Sequence, residues 1–465
     1  MLVRREWALL ALLLVAPITA ATGNVITDWD EKAVGLVQTE TVRPPFTSHR
    51  TMAILHIAMF DAVNSIDPRY KPYMVKLPAA PDTSKEAAAA AAWGAVLVKL
   101  APDAAADVQS ILTSYLAALP DGDAKAKGVQ LGREVAAKIL AARENDGASA
   151  PDAYRPRTKP GVYISTAMPV GWQAARMTPF VLASQSQFRA KRPPSLKSAE
   201  WARDYNEIKE LGAKNSTKRT PRQTEDARFW LLVGPRAYHP MPRQIIIAKD
   251  MDVLDSARFM ALFSTAMVDC GIAFFDAKYK YEFWRPITAI RNGDIDGNPA
   301  TERDASWEPI DATPLHPEYP CAHCVQSSTA AAVIQGLLGG DEIPEVALTS
   351  PFAPGVTHRF NSLRAFTDEV ANARIYAGFH YRFSTIAGRE MGQKIGAYIV
   401  KSVMSRPRPQ WHTEPSRRDC FVAPLLAMTA SRVFAAIATM TSRADSRLSD
   451  ANGEMAQLGA SGRWP

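Results

Sequence analysis

Cysteine is scarce in this chain: Cys270, Cys321, Cys324 and Cys420 are the only four in 465 residues. That is too few for a fold that depends on disulfides, and although the even count allows two bridges, sequence alone leaves their pairing open. Long uncharged apolar runs are missing beyond the N-terminus, and the mean hydropathy is −0.14, which excludes a polytopic membrane protein. Charge of one sign is missing as well. Fifty-four basic residues stand against 47 acidic ones, a formal net charge of +7 with both signs mixed. Such a surface tolerates anions but makes a poor nucleic-acid platform, and no recognised nucleic-acid module is present. Alternating strand patterns are nearly absent, Val162-Tyr163-Ile164 being the best of a poor set, and no internal repeat is visible. With 47% apolar residues, the chain is neither disordered nor collagen-like nor a small disulfide scaffold, and it is long enough for a large core.

The apolar run that does exist lies at the start. Arg4 and Arg5, the apolar stretch Ala8–Ala16 and the small residues Ala20 and Ala21 have the pattern of a secretory signal over residues 1–21. The expectation is export to the periplasm or the extracellular space, with no stable membrane insertion once the signal is removed. The remainder divides into an N-terminal helical region, 22–240, and a C-terminal helical region, 241–465, in one integrated unit.

Helical periodicity dominates the rest. Met52, Leu55, Met59, Ala62 and Val63 recur at three- and four-residue steps, the mark of one buried face. An alanine-rich helix follows from Ser84 to Leu100, capped by Thr83 or Ser84, then helices near 104–119 and 124–144. Residues 148–194 are rich in Pro, Gly and aromatics without periodicity, and read as a long loop that walls or covers a site. Further helices are expected at 198–211, 221–233, 251–283, 322–338, 361–379, 385–404 and 422–441. The one at 251–283 is long and apolar, but Asp252, Asp255, Arg258 and Asp269 interrupt it, so it belongs in a core. The fold class is all-α: two packed helical bundles joined by long loops, for which 34 prolines supply the turns.

Chemistry-bearing residues concentrate between 278 and 384, in three clusters. Lys278 and Arg285 are seven residues apart, two turns of a helix, which places them on one face, with Pro286 ending that helix. A planar fork beside a point charge suits a tetrahedral oxyanion. The alternative, a wet basic face, fits poorly with Tyr279, Tyr281, Phe283 and Trp284 around it. The second cluster is His316-Pro-Glu-Tyr-Pro-Cys-Ala-His323-Cys324, opening an apolar run. Pro320 suits a first helical turn, leaving backbone N–H groups free for an anion with His323 beside them. Capping or packing is the plainer reading of that histidine alone. The third cluster is Arg374 and His380, where Gly378 predicts a bend; neutral imidazole there serves as a nucleophile or as a ligand of a metal oxyanion.

Lys278-x6-Arg285-Pro286, Pro320-Cys321-Ala322-His323 and Ala373-Arg374-x5-His380-x3-Ser384 together resemble the three-part signature of the superfamily of vanadium-dependent haloperoxidases and type 2 phosphatidic acid phosphatases. Met52–Tyr70 and Arg219–Trp230 are similar to the longer bacterial haloperoxidase-type proteins rather than the compact lipid phosphatases. The resemblance implies an all-α fold with an oxyanion held between helices, and vanadate as cofactor if the protein is a peroxidase. Lys278, Arg285 and Arg374 would bind the equatorial oxygens, with Cys321 and Ala322 at the second motif. His380 would be the ligand of vanadium or the phosphorylated residue, and His323 the general acid–base. His316 would influence halide choice, as in the bromoperoxidase variant. Cys321, Ala322, Ala373 and Ser384 stand where the signature has Ser, Gly, Ser and Asp, so His380 is expected to lack its carboxylate anchor. The partners implied are hydrogen peroxide with a halide, or a phosphate ester if the same residues form an acid phosphatase. Nucleic acid is not among them, and a homo-oligomer is compatible with this picture. A catalytically silent anion-binding relative is the third reading. Cys321-Ala-His-Cys324 is also a C-x-x-C at a helix start, but a thiol–disulfide oxidoreductase would need a βαβ context, and a structural zinc would need a second ligand pair.

Overall fold

The computed structural model describes residues 24–37, 45–151, 153–165 and 167–406. The expected signal sequence, Cys420 and the helix expected at 422–441 lie outside the described residues. Local sequence chemistry starts the helices. Val25–Val37 (α1) and Pro45–Ile66 (α2) come first. Lys85–Leu100 (α3) opens at Ser84, whose hydroxyl accepts the Ala87 amide at 3.1 Å. Ala105–Ala118 (α4), Asp123–Ala142 (α5) and Ala199–Leu211 (α6) follow, α6 capped by Ser198 on the Trp201 amide at 3.2 Å. Thr220 and Gln223 form a reciprocal capping box at the head of Pro221–Phe229 (α7), which stops four residues short of the expected end. Two short helices, Pro235–Tyr238 (α8) and Pro240–Ala248 (α9), fill the gap before the long helix Val253–Tyr281 (α10), which Asp252 caps. Pro286–Arg291 (α11) and Ala322–Leu338 (α12) precede an antiparallel hairpin of Glu342–Thr349 (β1) and Thr357–Ser362 (β2). Leu363–Tyr376 (α13) and Arg382–Ser402 (α14) complete the described fold.

Helix α10 is the shared element. It packs against α2, which with α3 and α5 makes one bundle, and also against α12 and α14, which with α13 make the other. From Leu254 to Tyr279 nearly all its side chains are buried, including Phe259, Leu262, Phe263 and Ile272. Each such burial contributes about 1.5–3 kcal/mol. By length and composition α10 is long and apolar enough to cross a membrane, but 94% of its most apolar window is buried within the protein, as expected of a core helix. In the second bundle, α14 lies directly on the backbone of α12. A Cβ at Gly392 would come 2.3 Å from the Val325 carbonyl oxygen, and one at Gly396 2.6 Å from that of Thr329. Only glycine permits this approach, and it fixes the turn of α12 that carries His323.

The 148–194 segment is irregular as expected, apart from one short turn at Ala174–Arg176. Asp269 of α10 anchors it by accepting the backbone amides of Phe180, Val181 and Leu182 at 2.6, 2.8 and 2.9 Å. Two expectations are corrected. The hairpin β1–β2 is real strand structure, whereas Val162 makes only an isolated bridge to Phe283. In addition, Pro286 does not end the helix that holds Lys278. That helix stops at Tyr281, Glu282 takes a left-handed conformation (φ 48°), and Pro286 instead opens α11 with Arg285 at its N-cap.

Candidate active site

The three motifs meet at a cavity of about 370 Å³ between the bundles. His316, Ala322, His323, Arg374 and His380 line it, together with Phe46, Phe274, Phe275, Phe352 and Phe379. Val170, Gly171 and Gln173 supply a wall from the long loop. Gly171 sits at φ 84°, and a Cβ there would fall 2.2 Å from the Phe275 ring, so a glycine is required on both counts.

Each functional side chain is delivered by a helix end or the turn beside it. Lys278 lies in the last turn of α10, fully buried, and its ammonium donates to the Pro317 and Glu318 carbonyls at 3.0 and 2.7 Å. Arg285 borders an adjoining cleft of about 730 Å³ and reaches inward. Its Nε donates to the His316 carbonyl at 2.9 Å, and its Nη1 to the Phe379 carbonyl at 3.1 Å. The remaining contacts of that guanidinium are His380 Nε2 at 3.3 Å and His316 Nδ1 at 3.0 Å. Arg374, in the last turn of α13, donates through Nη1 to the Trp230 carbonyl, while its Nε is buried without a partner. Gly378, at φ 80°, turns the chain so that His380 follows Arg374 into the same site. The Tyr319–Pro320 bond is cis, Cys321 is the N-cap of α12, and His323 projects from its first turn.

Hydrogen-bond roles assign the tautomers. A guanidinium only donates, so His380 Nε2 is an acceptor, while His316 Nδ1 lies between the Arg285 donor at 3.0 Å and the Pro317 carbonyl at 3.2 Å. His380 therefore carries its hydrogen on Nδ1, which faces Glu318 Oε1 at 2.8 Å. His323 Nε2 lies 3.2 Å from the Leu232 carbonyl, so Nε2 carries the hydrogen and Nδ1 is the basic nitrogen.

The electrostatics describe a pocket with excess positive charge. Burial lowers Lys278 well below the usual lysine range, and the Arg285 charge lowers it further. Burial also lowers Arg285 to about 10 and Arg374 to about 9. Burial drives His380, His323 and His316 well below 6.5, with neighbouring cations adding to it, so all three imidazoles are neutral at pH 7. Glu318 is the carboxylate within this group, and burial raises it to about 7 against the pull of Lys278 and Arg285. Three buried cations facing one half-ionised carboxylate, with Arg374 Nε unpartnered, make a cage suited to an oxyanion such as vanadate or phosphate.

The structure thus brings Arg285, His316, His323, Arg374 and His380 together, with Lys278 and Ala322 beside them. Ala322 is the first helical residue, where its amide has no intrahelical partner, and its helical conformation makes the loss of glycine harmless. Cys321 is corrected. Its sulfur is bonded to Cys324 and caps the Cys324 amide, so it has no thiol hydrogen to offer an oxyanion. The expected loss of an anchor for His380 is corrected too. Ser384 cannot supply it, but Glu318 does, from the neighbouring motif. Sequence reasoning gave Glu318 no role, although it is the one carboxylate in the His316–Cys324 run. The same reasoning did not single out His49 and Gln326, which line the far side of the cavity and contact each other at 3.0 Å.

Known proteins resemble this chain in part of its sequence and in its fold. Residues 258–408 match the family described as the VCPO second helical-bundle domain. The chain is 27% identical to the vanadium chloroperoxidase of Curvularia inaequalis over 45% of its own length, and spans 45% of that relative. Among solved structures, it is similar to a bacterial vanadium-dependent iodoperoxidase (TM-score 0.70, 21% identity, 83% of this chain and 97% of that one). A bacterial vanadium-dependent chloroperoxidase in its holo form is also similar in fold (TM-score 0.66, 17% identity, 83% and 98%). Over residues 258–408 the chain carries the second helical-bundle domain of the VCPO family, and its all-α fold is that of the solved vanadium-dependent haloperoxidases.

Proposed function

We propose that this protein is a vanadate-dependent haloperoxidase that uses hydrogen peroxide to oxidise a halide. The observation that carries the reading is the cage itself: three buried cations and a neutral His380 whose Nε2 lone pair is oriented by Glu318. Lys278, Arg285 and Arg374 would hold the anion, and His380 Nε2 would be its protein ligand. Bound vanadate would supply a Lewis acid that activates peroxide without a change of metal oxidation state.

The chain's own groups do the rest. The guanidiniums of Arg285 and Arg374 keep their positive charge through donor bonds to backbone carbonyls, so they need no reorganisation when negative charge develops. His323 stays neutral at pH 7, and its Nδ1 accepts a proton from peroxide and returns it to the departing oxygen. His316 positions Arg285 through its carbonyl and its ring, which gives its influence on halide choice a physical route. The phenylalanines around the cavity exclude water and keep these charges at low dielectric. Export to the periplasm or beyond is part of the same proposal, supported by the N-terminal pattern and by the Cys321–Cys324 bridge, which suits an oxidising compartment.

The test is bromination of a phenol dye by the purified chain with vanadate and peroxide. Bromination that depends on vanadate is the expected result. Hydrolysis of a phosphate ester, inhibited by vanadate and without bromination, would replace the reading with an acid phosphatase. Calorimetric vanadate binding with neither activity would replace it with a silent relative.

A further inference from the structure

Away from the cavity, helix α7, strand β2 and helix α13 bring three carboxylates around one histidine. His358 on β2 is 2% exposed, and its ring stacks on Phe229 with 3.9 Å between centroids and 6° between planes. Its Nδ1 faces Glu369 Oε1 at 2.6 Å. The same Oε1 accepts the Trp230 indole N–H, so it is an acceptor towards His358 as well, and the imidazole lone pair lies on Nε2. That Nε2 is buried without a hydrogen-bond partner, 3.6 Å from Glu225 Oε1 and 4.0 Å from Asp226 Oδ1. The three ligand atoms lie within 4.8 Å of one another.

We propose that Glu225, Asp226 and His358 form a site for a divalent transition metal of the zinc type, with Glu369 orienting the imidazole. Tetrahedral bonds of about 2.0–2.2 Å place ligand atoms roughly 3.3–3.6 Å apart; the Glu225–His358 separation of 3.6 Å already meets this, and the Asp226 carboxylate closes from 4.0 Å by a side-chain rotation. A ligating histidine usually gives its other N–H to a carboxylate, which is the bond Glu369 makes. An imidazole lone pair among three protein ligands favours zinc, cobalt or nickel over calcium or magnesium, which take oxygen-rich shells. Three ligands leave a fourth position for water.

Charge supports the same assignment. Glu225, Asp226 and Glu369 all crowd the one His358 ring, at 3.6, 4.0 and 2.6 Å, and a dication would relieve that crowding of carboxylates. The Arg222 guanidinium now fills the cation's place, pairing with Glu225 at 2.9 Å, Asp226 at 2.9 Å and Glu369 at 3.3 Å. Its side chain is 59% exposed, and exposed pairs of this kind contribute about 0.2–1 kcal/mol each, so a metal displaces it readily. The other histidine–carboxylate cluster among the described residues is different. There, His56 Nε2 and His239 Nδ1 both meet the same oxygen of Asp30 and Arg243 takes the other, so the carboxylate is already saturated by three donors. The proposed site also touches the oxyanion cage: the Glu369 carboxylate accepts the Trp230 indole N–H at 2.9 Å, and the Trp230 carbonyl accepts from Arg374.

Calorimetric titration of the chelator-treated full chain with Zn²⁺, without vanadate, tests the proposal. One site is expected that His358→Gln removes, Glu225→Gln weakens, and Glu369→Gln weakens by about 10–100-fold. Arg222→Gln, an exposed substitution that leaves the core intact, should tighten binding several-fold by removing the resident cation. Zn²⁺ affinity and stoichiometry that are the same in wild type, Glu225→Gln and Arg222→Gln would overturn it, as would no Zn²⁺ binding by Arg222→Gln.

Discussion

Glu318 Oε1 lies 2.8 Å from His380 Nδ1, joining residues 62 apart in sequence and belonging to two different motifs. The bond fixes which imidazole nitrogen is free: Nε2, facing Arg285. It also accounts for tolerance of Ser384 at a position where the signature has aspartate, because the carboxylate now comes from the segment before α12. Glu318→Gln should therefore lower kcat about 10–100-fold, the usual cost of losing a residue that orients a ligand. Vanadate affinity should fall much less, since removing the negative charge strengthens the positive potential that attracts the anion. Steady-state bromination with a vanadate titration separates the two effects, and unchanged turnover would remove Glu318 from the site.

The same carboxylate predicts a pH limb. Glu318 is raised from 4.5 to about 7 by burial, so it protonates as pH falls through neutrality and ceases to be an anionic partner for His380. In the kcat/KM profile, activity should fall on the acid side of pH 7 in wild type, and that limb should be absent in Glu318→Gln. Stability moves the opposite way. A carboxyl with a raised folded pKa binds its proton more tightly when folded, so this group's destabilisation is fully present above pH 7 and is relieved between 7 and 4.5. Thermal unfolding at pH 8 and 6, wild type against variant, reads the sign.

The two histidines should divide binding from turnover. His380 Nε2 is the lone pair next to Arg285, whereas His323 contacts Leu232 and faces the cavity from α12. His323→Ala is expected to abolish bromination while keeping vanadate binding, and His380→Ala to damage both. Either variant with intact activity would show the roles to be misassigned.

Much of this was legible in the sequence because helix caps and motif spacing are local. Ser84, Ser198 and the periodicity of 322–338 place their helices within a residue or two. What escaped was either tertiary or disguised. Glu282 ends α10 in a left-handed conformation with no glycine to announce it, so a two-turn spacing was read across a break. In β2 the buried face is made by His358 and Phe360 alone, and an alternation in which a histidine supplies one of two inward positions does not read as apolar. The anchor on His380 comes from a carboxylate 62 residues away, a contact that no local pattern carries.

Arg374 predicts an unusual stability effect. Its depression from 12.5 to about 9 corresponds to roughly 5 kcal/mol against the buried charge. Removing it leaves the Trp230 carbonyl unpaired, which costs about 1–3 kcal/mol. Arg374→Met should accordingly melt no lower than wild type without vanadate, yet lose most of the stabilisation that vanadate confers on wild type. Thermal shift with and without vanadate checks this. A lower melting point together with a full vanadate shift would mean that Arg374 is structural.

Asp269 ties the cavity wall to the core, and its substitution should separate substrate binding from chemistry. The carboxylate accepts three successive amides, Phe180 to Leu182, all from the loop that also contributes Val170, Gly171 and Gln173 to the cavity. Asn has one acceptor oxygen, and its NH₂ would face donors, so Asp269→Asn leaves at least one buried amide unpaired at about 1–3 kcal/mol. At about 1–2 °C per kcal/mol for a chain this long, the melting point should fall by about 1–5 °C. Asp269 is nine residues from Lys278 on α10, about 13 Å along the helix, so the cation cage should be undisturbed. Halide oxidation at saturating peroxide should then keep its kcat, while the KM for a bulky phenolic acceptor rises as the wall loosens. A loss of kcat with an unchanged KM would show instead that the loop holds the cage rather than the wall.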